Sequence, residues 1–289
     1  MVAVSDSHQC ARWRWLWRAT FDVSGSNSQW GFWLSRILKR VVRANVAMSR
    51  LIEPSIVEKT HAYTMYDEVG ARLLRDEPST VLDVGAGKKW HFAPSYKSPG
   101  MKLIGFDIDL DEMRENELLD QKICGDACEG LRVPDQSVDL IMGRAVIEHL
   151  HDNAAFLRAA NQALRDGGRL IVTFPNRYAP FAILNRMLPR KISQWLLSRL
   201  VPDSDGILGF EAFYDRTSFR KFKNILVEAG FEIEQVYASY FSSSYYRFFS
   251  PLFALGTIYD LLCYKLSNPK LASYFMFVAR KASPVELGP

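Results

Sequence analysis

The first regular pattern of apolar residues predicts an amphipathic helix over residues 30–50. Its apolar positions recur at the spacing that brings them onto one helix face: Trp30, Trp33, Leu34, Ile37, Leu38, Val41 and Val42. Basic residues lie on the other faces. Such a helix docks on a domain core or lies on an anionic membrane, and the sequence leaves both open. Pro54 starts a second helix, which we expect to end near Pro78.

From Val81 onward, short apolar runs alternate with helical stretches. The predicted strands are Val81–Val84, Leu103–Phe106, Val138–Met142, Leu170–Phe174, Phe231–Tyr240 and Ser273–Arg280. Near-continuous apolar strands separated by helices are typical of a parallel sheet with helices on both faces. We therefore expect an α/β fold, with a basic, Trp-rich arm and amphipathic helix at 1–53 and the main domain at 54–289. Two aromatic stretches, at about 176–215 and 241–271, read as α-helical cap insertions.

Composition and charge narrow the function. Of 289 residues, 48% are hydrophobic and the formal net charge is +4. Residues 1–50 hold eight basic and two acidic side chains, or +6, so residues 51–289 sum to −2. Nucleic-acid enzymes usually carry their basic patch around the active site, so we expect no nucleic-acid partner. The four cysteines show no zinc-like spacing, and we expect no metal.

The chain shows no apolar run of the length that a membrane span needs, and its first residues do not read as a signal peptide. We expect a cytoplasmic protein. Tryptophan and arginine together favour membrane–water interfaces, so residues 11–45 are a candidate peripheral contact with the inner face of a membrane.

The first candidate ligand-binding motif is a strand that ends in a glycine turn, Gly85-Ala86-Gly87. Such a turn lets a ligand approach the backbone and leaves amide N–H groups available at the start of a helix. A dinucleotide fingerprint requires a third glycine where this chain has Trp90, which disfavours a nicotinamide oxidoreductase.

Further along the chain, an acidic residue follows the strand Leu103–Phe106, and another comes in Gly125-Asp126-Ala127. Asp107 comes 20 residues after Gly87, the spacing of an acid that binds ribose hydroxyls. Asp109 is a second candidate, although helix capping is the simpler role for it. Asp126, followed by the small residue Ala127, is suited to an adenine amino group and ring.

The ordered set LDVGAG, GFDID, GDACEGLRVPDQSVDLI, AVIEHL and LRDGGRLIVTFPN resembles the class I S-adenosylmethionine (SAM)-dependent methyltransferases. Within them it is most similar to the small-molecule and lipid group that includes quinone and sugar O-methyltransferases. The match covers roughly residues 60–180, and a weaker similarity continues towards the C-terminal end of the chain. It implies a Rossmann-like, seven-stranded, mostly parallel sheet and SAM as cofactor.

The resemblance also implies which residues bind SAM. The implied contacts are Asp83, Gly85, Ala86 and Gly87 at the methionine part, Asp107 at the ribose, Ile108, Asp126 and Ala127 at the adenine, and Arg144 and Ala145 where the fourth strand meets the cofactor. Lys89 departs from the family, because many members have a third glycine there. A side chain at this position narrows that side of the site.

His149 is the candidate general base, because methylation of a hydroxyl benefits from a group that takes up a proton near neutral pH. The other interpretation makes Glu148 and His149 a packing and hydrogen-bonding element. The segment Arg144-Ala145-Val146-Ile147 stands where amine methyltransferases often carry an Asn-Pro-Pro-Tyr-like box, which argues against an exocyclic base amine.

The sequence thus favours O-methylation of a hydroxyl on a glycan, a glycolipid or a lipid-like small molecule. Aromatic insertions beside a catalytic mouth suit such acceptors, and the same residues would also suit a dimer contact or a helical cap without a role in substrate binding. The alternatives are a SAM-binding or membrane-recruited assembly protein without turnover, and an RNA methyltransferase.

Overall fold

The computed structural model describes residues 29–188 and 211–282, with side chains described from residue 40 onward. The strands are β1 (Thr80–Val84), β2 (Lys102–Asp107), β3 (Gln121–Cys124), β4 (Val138–Arg144), β5 (Leu164–Pro175), β6 (Phe231–Ser239) and β7 (Tyr274–Lys281). The helices are α1 (Gln29–Ile52), α2 (Ser55–Thr60), α3 (Ala62–Arg75), α4 (Leu110–Arg114), α5 (Asn153–Ala163), α6 (Pro180–Met187), α7 (Phe219–Glu228) and α8 (Ser250–Leu266).

All seven strands belong to one sheet, in the order β3-β2-β1-β4-β5-β7-β6. Strand β7 is antiparallel to both of its neighbours, and the other pairings are parallel. This confirms the predicted Rossmann-like fold. The chain reverses its direction of winding between β1 and β4, which is where open α/β sheets bind their ligands. The carboxyl ends of β3, β2, β1 and β4 therefore lie side by side.

Two apolar layers cover the faces of the sheet. One contains Phe156 and Leu157 of α5 together with Phe222 and Leu226 of α7. The other contains Tyr66 and Leu74 of α3. Asp152 begins α5 because its carboxylate accepts hydrogen bonds from Ala154 N and Ala155 N. Burial of these side chains supplies the main stabilisation and fixes the strand ends that carry the site.

The connection from β1 to β2 differs from the expected helix. Apart from a single 3₁₀ turn at Pro94–Tyr96, the segment between these strands is irregular. Aromatic side chains fill the layer instead: Trp90 and Phe92 are buried, with ring centroids 5.4 Å apart. Phe92 also contacts Tyr66 of α3, at 6.2 Å between centroids. Packing of large aromatic rings replaces the helix face that would have covered β1 and β2.

The predicted N-terminal helix is confirmed over Gln29–Ile52, whereas residues 1–28 of the arm lie outside the described part. Its C-terminal half packs on α8: Ser250 N and Ser250 Oγ donate to Asn45 Oδ1, at 2.9 and 2.8 Å. The helix predicted from Pro54 is two helices, because the backbone of His61 is extended. His61 Nδ1 accepts from Tyr63 N at 3.3 Å and so caps α3.

Candidate functional site

The glycine loop after β1 takes left-handed backbone angles, with φ of +75° at Gly85 and +49° at Gly87. Gly85 N and Ala86 N donate to Phe106 O at 2.8 and 3.3 Å, and Gly87 N donates to Asp107 Oδ2 at 3.0 Å. The expectation that this loop leaves amides available at a helix start is therefore wrong. Its amides hold the loop onto β2, and no helix follows. A Cβ at Gly87 would meet no atom within 4 Å, so the space above the loop is open.

Asp107 ends β2 and points its carboxylate back to the glycine loop. Its Oδ1 accepts from Asp109 N at 3.0 Å, while Oδ2 accepts from Gly87 N. Ile108 supplies a further backbone hydrogen bond, and a carboxylate with about four acceptor positions can still accept another donor. Burial raises the pKa of Asp107, and its backbone hydrogen bonds oppose that shift. Asp109 instead caps α4, and Ile108 beside it is 41% exposed, an apolar surface next to the acid.

Asp126 follows β3, and its carboxylate shapes the turn to Ala127. Oδ1 accepts from Cys128 N at 2.8 Å, and Oδ2 lies 3.7 Å from Nδ1 of His151. Ligand atoms of Asp126, Cys128 and His151 lie within 4.8 Å of one another, a grouping that their spacing in the sequence did not indicate. Burial raises the pKa of the Cys128 thiol to about 11, so this sulfur is protonated at neutral pH and is a poor metal ligand.

Asp83, the last residue but one of β1, is buried. Its Oδ2 atom has no hydrogen-bond partner among the described residues. Burial raises its pKa to about 7, the nearby Asp107 adds to the shift, and Arg144 opposes it. A buried carboxyl without a partner is costly, so this position favours a positively charged ligand group.

Arg144, the last residue of β4, contacts several side chains at the carboxyl ends of the strands. Its Nη1 atom donates to His91 Nδ1 at 2.5 Å, and its guanidinium lies 4.6 Å from the ring centroid of Tyr63. Asp67 Oδ2 lies 3.9 Å from Nη2. Burial and the charge of Arg144 lower the pKa of His91 to about 4, which keeps this histidine neutral as an acceptor. The buried Nε of Arg144 has no partner within the described ranges.

The turn after β4 is strained. Ala145 has φ of +56°, a left-handed conformation that L-residues other than glycine rarely adopt. Ala145 N donates to Thr173 O at 3.0 Å, so the β5 backbone holds the strained residue in place. The turn then directs Val146 beneath Gly85, where a Cβ on the glycine would come within 3.1 Å of it.

Glu148 and His149 are placed differently from each other. Glu148 is buried, and its Oε2 has no partner in the described part of the chain. Burial raises the pKa of this carboxyl, and the neighbouring His149 opposes the shift. His149 is half-buried, with Nδ1 2.8 Å from the carbonyl oxygen of Glu211. A proton on Nδ1 makes this contact a hydrogen bond and leaves the ring lone pair on Nε2.

A cluster of aromatic side chains lies beside Glu148, and the sequence did not indicate two of its members, Tyr63 and Tyr274. Tyr274 Oη donates to Tyr245 Oη at 2.9 Å, and Phe181 stacks on both rings, at 5.5 and 4.5 Å between centroids. Tyr63 approaches Tyr274 at 5.9 Å. Phe181 and Tyr245 come from the two predicted cap insertions, and only the fold brings them to the first residue of β7. Burial raises the pKa of Tyr63 and Tyr274 well above the ordinary value, so both are neutral phenols.

The strand ends thus bring most of the predicted positions together. The sheet pairs Val84 with Phe106 and Asp107 with Cys124, so Asp83, Asp107 and Asp126 lie in or just after the last residues of three adjacent strands. Arg144 and Ala145 end β4, on the other side of β1. The structure is thus a doubly wound α/β sheet with acidic side chains at its switch point, the place where such sheets bind their ligands.

A family model of methyltransferase domains matches residues 58–236, more than half of the chain. The chain therefore belongs to this methyltransferase family. A probable SAM-dependent methyltransferase of Mycolicibacterium smegmatis is 30% identical over 128 residues, which are 43% of this chain and 49% of that protein. The chain thus spans about half the length of this relative.

Two further likenesses were found. The malonyl-[acyl-carrier protein] O-methyltransferase of Yersinia pestis is 31% identical over 94 residues, 32% of this chain and 34% of that protein. A solved SAM-dependent methyltransferase from Thermotoga maritima, described as a possible histamine N-methyltransferase, aligns with a TM-score of 0.48 and 16% identity. That alignment covers 78% of this chain and 91% of the other.

Proposed function

We propose that this enzyme transfers the methyl group of SAM to a hydroxyl of a glycan, a glycolipid or a lipid-like small molecule. The observation that carries the proposal is the buried carboxyl of Glu148 beside a cluster of tyrosines. A buried carboxylate oxygen that lacks a partner favours a ligand that donates a hydrogen bond, and a hydroxyl does so.

The residues at the strand ends fit SAM. Bound SAM supplies an electrophilic methyl group on a sulfonium sulfur. The unpartnered Oδ2 of Asp83 suits the ammonium of the methionine part, above the open loop Gly85-Ala86-Gly87, and Arg144 suits its carboxylate.

The remaining positions suit the nucleoside of SAM. We assign the ribose to Asp107, because its carboxylate ends β2 and can accept a further hydrogen bond beside those from the backbone. The exposed side chain of Ile108 offers an apolar surface to the adenine, and Asp126 and Ala127 stand at the end of the adjacent strand β3. Ala145 fixes the direction in which the chain leaves β4.

The acceptor is proposed to lie against Tyr63, Tyr274, Tyr245 and Phe181, which the two cap insertions and α3 bring together. Aromatic rings of this kind stack on sugar rings or cover alkyl chains, while the phenol groups orient hydroxyls. Methyl transfer is an in-line displacement, so holding the hydroxyl oxygen opposite the sulfonium is the main task of these side chains.

The proton of the acceptor hydroxyl passes to one of two adjacent side chains. Glu148 is buried with a raised pKa, which brings its basicity towards neutral pH. His149 is the second candidate, because the carbonyl of Glu211 holds its ring in the tautomer that accepts a proton at Nε2. We propose that the reaction needs no metal, since displacement at a sulfonium carbon requires no Lewis acid.

Incorporation of label from methyl-labelled SAM tests the proposal. The purified protein is incubated with separated lipid, glycan and RNA fractions, with Asp107→Ala as the control that lacks the proposed ribose contact. We expect label in a lipid or glycan fraction, resistant to alkaline hydrolysis as an ether methyl is. Label that alkali releases would mean a carboxyl ester, and label in RNA would mean a nucleic-acid acceptor; either result would overturn the hydroxyl proposal.

A further inference from the structure

The outward face of α8 is apolar along the helix. Five exposed residues recur at helical spacing and form one stripe: Leu252, Leu255, Tyr259, Leu262 and Leu266. Ile258, which is also exposed, lies beside this stripe. Leu255, Leu262 and Leu266 are 66%, 57% and 68% exposed. A surface helix normally presents polar residues to water on this side.

The inward face of α8 carries the polar groups instead. Asp260 is buried, and its Oδ2 accepts from Ser242 N at 2.8 Å and Ser243 N at 2.7 Å. Thr257 is buried one turn earlier. The buried positions of α8 thus include the polar Thr257 and Asp260 beside Phe253 and Cys263, while leucines lie on the outside. An arrangement of this kind indicates that an apolar medium or partner covers the outer side.

Helix α1, which packs on α8, also carries exposed apolar residues. It is attached to the start of α8 through Asn45 and Ser250, and Ser49 Oγ donates to Arg247 O at 3.4 Å. From residue 40 onward, the large exposed apolar residues of α1 are Val41, Met48, Leu51 and Ile52, and Leu51 is 83% exposed. We call these residues, together with the outward residues of α8, the α1–α8 face.

The charges on these two helices have one sign. Helix α1 contains no Asp or Glu, and Arg40, Arg43 and Arg50 are exposed. The single acid of α8, Asp260, is buried and directed inward, and Lys265 is exposed near its end. The outer surface of the described helix residues is therefore apolar and cationic.

We propose that the α1–α8 face docks on the surface of an anionic lipid bilayer. Leucines enter the acyl boundary, arginines contact lipid phosphates, and Tyr259 is suited to the interface between them. None of the described helices is long and apolar enough to cross a bilayer, so the proposed contact is peripheral.

The charges favour lipid over other occupants. A second copy of the chain would present the same cationic surface, and like charges would oppose each other across the interface. Residues 1–28 and 189–210 each carry three Lys or Arg and two Asp or Glu, so neither segment supplies a complementary acidic surface.

Vesicle flotation of the full chain tests this inference. We expect binding to vesicles of phosphatidylcholine with phosphatidylglycerol, and weak binding to phosphatidylcholine alone. The double variants Leu255→Asp/Leu262→Asp and Arg43→Glu/Arg50→Glu should each lower the fraction bound about tenfold or more. Val227→Asp is the matched control, because Val227 is 56% exposed on α7, which packs on α5 and β6. It should leave binding unchanged.

Two further measurements accompany flotation. One shows whether each variant is folded with an intact cofactor site, and the other shows whether the α1–α8 face joins two copies of the chain instead. SAM binding by each variant should equal that of the wild type, since all the substituted residues are exposed. Light scattering reports the oligomeric state. A wild-type dimer that Leu255→Asp/Leu262→Asp converts to monomers, with no flotation on either vesicle, would overturn the lipid proposal. Equal flotation of the wild type and both double variants would also overturn it.

Discussion

The backbone N–H of Gly87 lies 3.0 Å from Oδ2 of Asp107, across the 20 residues that separate the glycine loop from the end of β2. This hydrogen bond makes the loop and the ribose-binding candidate a single unit, because the same carboxylate fixes the backbone above which the methionine part of SAM is proposed to lie. Gly87 therefore contributes to this unit through its backbone N–H, whereas Gly85 packs closely against Val146.

Replacing each of these glycines with alanine should show which glycine mainly supports the stability of the fold and which one borders the SAM site. Gly85→Ala should cost about 2–3 kcal/mol of unfolding free energy, since the left-handed backbone is strained and the new methyl meets Val146 at 3.1 Å. Gly87→Ala should cost about 1–2 kcal/mol, because only the backbone strain applies there. Its methyl fills the open space above the loop, so we expect SAM affinity to fall about tenfold or more.

Gly100→Ala provides the matched control. Its φ is +90°, and its Cβ would also meet no atom within 4 Å, but the residue lies in the turn before β2. Urea unfolding and calorimetric titration with SAM would be measured for all three variants. If Gly87→Ala binds SAM as tightly as Gly100→Ala does, the loop is not the cofactor cradle.

Asp83 should make stability depend on pH. Its pKa in the folded protein is raised to about 7, against an ordinary value of 3.8. Between these values the folded state holds one proton more than the unfolded state. This contribution to stability is complete below the ordinary pKa and is lost as the pH rises through about 7, with a slope of at most about 1.4 kcal/mol per pH unit. Asp83→Asn should remove this part of the slope in urea unfolding measured from pH 4 to pH 8.

The same carboxyl should link SAM binding to proton release. The positive charge of SAM favours ionised Asp83, so affinity should rise with pH up to about 7 and then level off. Titrations in buffers of different ionisation enthalpy would measure the released proton. Asp83→Asn should show no such release; a wild type whose binding enthalpy is the same in every buffer would contradict the proposed contact.

The two candidate bases can be separated once a labelled acceptor is in hand. Glu148→Gln should lower kcat about 100-fold or more, with SAM affinity little changed, and the wild-type rate should rise with pH to a plateau above the ordinary pKa of a glutamate. His149→Ala should also lower turnover with SAM affinity little changed. Full turnover in His149→Ala would make the base role of His149 wrong, and the same outcome in Glu148→Gln would exclude Glu148.

Much of the cofactor side could be predicted from sequence, because its residues follow apolar strands whose ends meet at one edge. Strand β3 was not recognised, since Gln121–Cys124 lies at the sheet edge and is largely polar. The acceptor side was harder to predict. Tyr63, Tyr274 and Tyr245 lie on three elements far apart in sequence, and their contacts depend on packing. The hydrogen bonds from the glycine-loop amides to β2 also depend on the register between β1 and β2, which the sequence motif alone does not specify.

The most direct test of SAM as the cofactor is calorimetric titration of the full chain with SAM and with its demethylated product, for the wild type and Asp107→Ala. The account predicts saturable binding of both ligands to the wild type. Loss of the carboxylate removes the proposed contacts with the ribose hydroxyls, so we expect Asp107→Ala to weaken binding about 100-fold or more. Absence of binding to the folded wild-type protein, or equal affinity in Asp107→Ala, would contradict the assignment of this sheet edge as the SAM site.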